Sequence, residues 1–174
     1  LIETTGTDTD LTVNNLTLTG GAATGVGATG GAISAAGTLT VIDSHLYGNS
    51  VSSPTSSFLD RSKGGAIYAA GALLIQGTKL EDSSATNGRG GAIYAGRKSL
   101  NGRTIENSTV SGNATTGANM GGGGIFARGT AEISGTSITG NSTIGASSPG
   151  GGIRGATVVI TDSELSGNAT KGEN

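Results

Sequence analysis

The stretch Gly90-Gly91-Ala92-Ile93-Tyr94-Ala95 decides how this chain is read, because Gly64-Gly65-Ala66-Ile67-Tyr68-Ala69 repeats it 26 residues earlier. Looser copies stand at Gly30-Gly31-Ala32-Ile33, Gly122-Gly123-Gly124-Ile125 and Gly150-Gly151-Gly152-Ile153. Downstream of each lie two aliphatic residues five positions apart: Val41 and Leu46, Ile75 and Leu80, Ile105 and Val110, Ile133 and Ile138, Ile160 and Leu165. The N-terminal stretch has the same frame, since Leu11, Val13 and Leu18 match Leu39, Val41 and Leu46. The anchors Leu18, Leu46, Leu80, Val110, Ile138 and Leu165 define six units of about 29 residues. A fixed period of this length is the mark of a stacked repeat architecture.

Inside each unit, apolar and polar residues alternate over short runs such as Leu39-Thr40-Val41. That is the period of a strand, not of a helix. Three short strands per unit, broken by Gly and Asn, predict an all-β chain, a three-strand β-solenoid of about six coils. No single coil can bury its own inward residues, whereas coils stacked about 4.8 Å apart bury them in a column and pair the backbone. The chain reads as one solenoid domain over residues 1–174, with coils at roughly 1–29, 30–63, 64–89, 90–121, 122–149 and 150–174. Six coils make a rod on the order of 25–30 Å long.

Register then assigns columns. The Ile of the first strand points inward, with a small residue two positions on: Ala35, Ala69, Ala95, Ala127 and Gly155. The third strand ends in Asn49, Asn113, Asn141 and Asn168, with Ser83 once in their place. These are expected to form a structural ladder, since Asn tolerates left-handed corners and stacked amides bond coil to coil. Length varies mainly between this corner and the next Gly-Gly, most in the insert from Ser50 to Lys63, so inserts should decorate one edge. A second irregularity, Arg97 to Thr104, is expected to bulge from the second strand.

Composition agrees. Gly is 34 of 174 residues against about 7% in ordinary usage, yet 33% of the chain is hydrophobic. Collagen is excluded, because Gly has no period of three and there are two prolines. The formal net charge is −2, and the basic residues are spread along the chain, which argues against nucleic acid as a main partner. No run approaches the roughly 18 apolar residues of a membrane helix, so no membrane insertion of this segment is expected. There is no Cys and a single His, His45, so no thiolate or zinc site and no cofactor is expected. A start at Leu1 without a leader reads as a mature product or an excised segment.

Gly-Gly-Ala-Ile followed by short strands and a turn with Asn resembles the repeats of polymorphic outer-membrane proteins and related bacterial surface β-helix proteins, including autotransporter adhesin passengers. The resemblance runs along essentially the whole chain. Those repeats favour Phe three residues before the Asn, where this chain has Leu46, Val110, Ile138 and Leu165. The resemblance implies a right-handed parallel β-helix in an extracellular or cell-surface, secreted setting. It does not imply one activity, because the scaffold carries many.

Candidate chemistry is thin. The position after the anchoring Ile reads Ser34, Tyr68, Tyr94, Phe126, Arg154, an outward column with Arg128 near one end. It is either a ligand-binding platform for sugar rings or an aromatic ladder between strands with Arg154 as a cation–π cap. Acid–base catalysis is not supported. The column three before the third-strand anchor, Asn15, Asp43, Gly77, Asn107, Gly135, Asp162, separates its two carboxylates by four coils, roughly 19 Å, against 5–9.5 Å in a glycosidase pair. Calcium-binding nonapeptides are absent. An ice-binding Thr array fails after two coils in the column Thr12, Thr40, Leu74, Thr104, Glu132, Val159. The Asn-x-Ser/Thr sequons at Asn107, Asn113, Asn141 and Asn168 follow from the turn pattern.

The chain holds close to a whole number of coils, with Leu1-Ile2 at a first strand and 169–174 just past a third-strand corner. Solenoid ends are normally capped. The expected partners are therefore self, by head-to-tail stacking as a filament subunit, or the rest of a longer surface protein, with glycans or a host surface as further ligands. The expected role is structural, adhesin- or passenger-type, and not enzymatic. The alternatives are a carbohydrate-binding module and, behind it, a polysaccharide lyase or hydrolase.

Overall fold

The computed structural model describes residues 1–55, 57, 59–96 and 102–172. They form a parallel β-helix of six coils arranged in three main sheets. Each strand pairs in parallel with its equivalent one coil away; the second coil bonds the third through Ile33↔Ile67, Val41↔Ile75, Leu46↔Leu80 and Val51↔Ala85. The second coil has strands at Ile33–Ala35, Thr38–Ile42, His45–Tyr47 and Ser50–Ser52. Each coil thus contributes to three sheets, as expected of a three-strand solenoid, with the first face split into two short strands in the first four coils. The first and second belong to one ten-stranded sheet, because in the fifth coil they run together as Ile125–Ser134 and in the sixth as Ile153–Thr161.

The inward columns are continuous. Ile2, Ile33, Ile67, Ile93, Ile125 and Ile153 are successive register partners, as are Leu18, Leu46, Leu80, Val110, Ile138 and Leu165. In the four inner coils these side chains are buried, each contributing about 1.5–3 kcal/mol of transfer free energy. Arg103 breaks the pattern: it pairs with Leu73 in an inward column and is 4% exposed. Its guanidinium donates to the carbonyls of Gly96 and Thr130, and burial lowers its pKa. Arg103 and Thr104 therefore lie within the second strand, not in a bulge; 97–101 lie outside the described residues.

The Gly-Gly pair has two separate jobs. The first glycine has positive φ, +71° at Gly90, and a Cβ there would overlap the carbonyl of Ile93. The second lies backbone to backbone: a Cβ on Gly91 would run into the carbonyl of Gly123 and stand 2.6 Å from the amide N of Ala114. Ala114 opens the fourth strand of the same coil. The first corner and the fourth strand are thus pressed together, and only glycine fits between them.

The asparagine ladder is present. Asn113 Nδ2 donates to Asn141 Oδ1 at 2.9 Å, and Asn141 Nδ2 to Asn168 Oδ1 at 2.9 Å. Each Oδ1 also accepts a backbone N–H from the coil before, from Gly21 to Asn49, Ser83 to Asn113, Asn113 to Asn141 and Asn141 to Asn168. These asparagines are not the left-handed corners, which is a correction. The positive φ sits one residue earlier, at Gly48, Asp82, Gly112, Gly140 and Gly167. A second left-handed corner is formed by Asn15, Asp43, Gly77, Asn107, Gly135 and Asp162. Both sets use Gly, Asn and Asp because these residues tolerate that geometry best.

A second ladder follows this second corner. The hydroxyls of Ser44, Thr78, Ser108, Thr136 and Ser163 accept the backbone N–H of Leu16, Ser44, Thr78, Ser108 and Thr136, one coil earlier, at 3.0–3.3 Å. Each hydroxyl also donates to the carbonyl two residues before it, as Ser108 does to Glu106 at 2.6 Å. Buried corner amides are thereby satisfied.

The length-variable inserts begin with the fourth strand, so they are not wholly decoration. In the second and third coils they end in Ser62–Lys63 and Gly88–Arg89, which pair with each other. Residues 56 and 58 lie outside the described residues. The last described strand, Ala169–Lys171, is a fourth strand, beyond the corner expected there.

Candidate functional site

The outward column beside the anchoring Ile is in register through Ser34, Tyr68, Tyr94, Phe126 and Arg154. Tyr68 and Tyr94 stack with ring centroids 5.7 Å apart and planes at 20°; Tyr94 and Phe126 stack at 5.3 Å and 9°. The rings therefore face one another along the rod. Tyr94 is 3% and Phe126 7% exposed, so neither offers an open ring face. Of the two readings of this column, the stacking of Tyr94 and Phe126 is that of an aromatic ladder, worth about 0.5–1.5 kcal/mol per contact beyond area burial. Tyr68, half-buried at the end of the ladder beside Ser34, is the most accessible ring.

Cations collect around this ladder. Arg154 lies 5.6 Å from the centroid of Phe126 and Arg89 lies 4.9 Å from it, so Arg154 caps the ladder as expected and Arg89 joins it. Arg154 Nη1 donates to the carbonyl of Met120 at 2.9 Å. Its aliphatic stem occupies space left by Gly121, where a Cβ would stand 2.6 Å from Arg154 Cδ. Lys63 and Arg89 are register partners in the small two-stranded sheet, about 4.8 Å apart. Arg61 is buried beside them and donates to the carbonyl of Asn119 at 3.3 Å.

The crowding has electrostatic consequences. Lys63 is held below the usual ammonium value by burial first, then by Arg128 and Arg89, with Asp60 acting in the opposite sense. Arg89 is lowered by burial and then by Arg61 and Arg154, and Arg61 by burial and then Arg154. Burial raises the Tyr68 phenol, Tyr94 adds to this, and Arg128 partly offsets it.

Two shallow clefts open on this face. One, of about 410 Å³, runs beside Lys63, Tyr68, Tyr94 and Arg128, over a floor that includes Ala36, Ala70 and Gly96. The other, of about 290 Å³, lies between Arg89, Phe126, Arg128 and Arg154. Arg128 borders both. The floor is flat because the outward position two after each ladder residue is small in the second, third and fourth coils and becomes Arg128 only in the fifth.

The carboxylates are placed elsewhere. Asp43, Asp82 and Asp162 hold left-handed corners, which gives each a conformational job. Glu81 pairs with His45 at 2.8 Å on the outer face of the third strand. Among the described residues, no three His, Cys, Asp or Glu come together as a metal site, and no helix is long and apolar enough to cross a membrane.

Sequence reasoning found the aromatic column, Arg154 and Arg128, but missed Arg61, Lys63 and Arg89. Those three lie in inserts of unequal length, where register cannot be counted. The available signal was that Lys63 and Arg89 each directly precede a Gly-Gly pair. Comparison with protein-family models, with curated proteins and with solved structures finds no match. The class defined here is therefore that of the fold, a parallel β-helix with a cation-rimmed aromatic face.

Proposed function

We propose that this chain is the rod of an extracellular, cell-surface β-helix protein of adhesin or passenger type, a structural part rather than an enzyme. The observation that supports this is the unbroken tie between coils: aliphatic columns, an amide ladder and a hydroxyl ladder run coil to coil, each in register. Such a stack places its surface columns at fixed heights and derives its cohesion from nearest-neighbour coils. In the sixth coil, Ile160 and Leu165 are 38% and 47% exposed, although they occupy columns buried in the inner coils. A further coil of the same chemistry covers them, supplied by the rest of a longer surface chain or by a second copy added head to tail.

Antibody labelling of intact producing cells, with protease shaving, tests the setting. Labelling before permeabilisation is expected; labelling only afterwards overturns the surface reading. Electron microscopy of the purified chain tests the source of the extra coil. Filaments with an axial repeat of about 29 Å, six coils at 4.8 Å, identify a second copy. A dilute monomer leaves the longer chain.

A further inference from the structure

We infer that the cation-rimmed face is a binding site for an acidic polysaccharide, a chain of sugars carrying carboxylates, laid along the rod over Tyr68, Lys63, Arg128 and Arg154. The inference goes beyond the structural role and does not rest on it. Five of the ten Lys and Arg in a chain of net charge −2 gather on this one face: Arg61, Lys63, Arg89, Arg128 and Arg154. Among the described residues, no acidic side chain lines either cleft. Three of the cations are depressed by one another's charge in addition to burial. An anion placed among them relieves that repulsion, and guanidinium groups bind carboxylates in a fork geometry.

The shape argues for a linear polymer. The two clefts share Arg128 and run from Thr5 and Thr7 in the first coil to Arg154 in the sixth. Their floor of Ala36, Ala70 and Gly96 is smooth, and Lys63 and Arg89 recur at the coil spacing. Tyr68 supplies an aromatic edge, and Thr5 and Thr7 supply hydroxyls, the usual partners of sugar C–H and O–H groups. Single-stranded nucleic acid fits less well. It stacks successive bases on separate aromatic faces, and here the faces between Tyr68, Tyr94 and Phe126 are already used by one another.

The test measures binding of the whole chain to polygalacturonate, to its fully methyl-esterified form and to single-stranded DNA, at low and moderate salt. Polygalacturonate is expected to bind at least tenfold more tightly than the neutral ester, and to weaken as salt rises. K63Q with R128Q together should weaken it at least tenfold, while K79Q, on another sheet, leaves it unchanged. Circular dichroism checks that the double variant is folded, and Y68F serves as a milder probe, expected to retain binding within about threefold. Equal binding of the neutral ester overturns the anionic class. Tighter binding of DNA overturns the polysaccharide. An equal loss in K79Q overturns the site, as does retention of full affinity in the folded double variant.

Discussion

Asn113 gives its side-chain amide to Asn141, 28 residues later and one coil along, and with its own Oδ1 takes the backbone N–H of Ser83 in the coil before. It also donates to the carbonyls of Leu80 and Ser111. One buried side chain thus joins three coils.

Replacing it with Asp keeps the size and removes the donor. In Asn113→Asp an acceptor faces Asn141 Oδ1 and the Leu80 carbonyl, all buried. The expected cost is about 3 kcal/mol or more, against about 1–3 kcal/mol for the buried bonds lost in Asn113→Ala. Urea unfolding checks the order, and hydrogen exchange at the Ser83 amide should rise most in Asn113→Ala, which alone loses the oxygen that accepts it. A milder Asp than Ala variant at neutral pH contradicts the ladder geometry.

The two kinds of glycine should behave differently. Gly91→Ala forces a Cβ into backbone of both the next coil and its own fourth strand, and is expected to cost more than about 4 kcal/mol or to prevent folding. Gly48→Ala meets no atom within 4 Å and pays only for its φ of +61°, about 1 kcal/mol. Thermal melts of the two variants decide the matter.

Arg103 stands where the two preceding coils have Leu73 and Leu39. Arg103→Leu exchanges a desolvated cation for a side chain the column already accepts, and should stabilise the chain by about 1 kcal/mol. Arg103→Ala leaves a cavity instead and should destabilise it by about 2 kcal/mol. Chemical denaturation of both variants distinguishes a misfit from a needed tie to Gly96 and Thr130.

Alkaline pH should act on the aromatic face. The Tyr68 phenol is raised above its usual 10.0 by burial, so above pH 10 the unfolded chain releases this proton before the folded one. Stability carried by the neutral phenol is therefore lost as pH rises above 10. Phenolate absorbance should show a component titrating above pH 10 that disappears in Y68F, and Y68F should lose less stability over that range.

How much of this was legible follows the chemistry. Ile67, Ile93 and Ile125 could be read because a large aliphatic residue must recur wherever a coil needs filling. Asn113 and Asn141 could be read because an amide that bonds both neighbours has no close substitute. The fourth strand left no such mark. Its buried residues, Val51, Ala85, Thr115 and Thr143, are small or polar and lie outside the aliphatic core, so no large apolar side chain recurs there. The hydroxyl ladder of Ser44, Thr78 and Ser108 hid among the many Ser and Thr of the surface. Lys63 and Arg89 were invisible for a third reason, since their pairing depends on where loops of unequal length end.

Both corner ladders point the same way, and this gives the rod a time order. In these ladders a corner amide of one layer is completed by a side-chain oxygen on the layer that follows it in the chain, while the amide of the next residue, such as His45 or Ser50, takes a carbonyl of the layer before. During synthesis the ladder amides of each turn therefore stay unpaired until its successor arrives. The corners of the newest turn are then the last part of the rod to close, although its strands already hold to the turn behind.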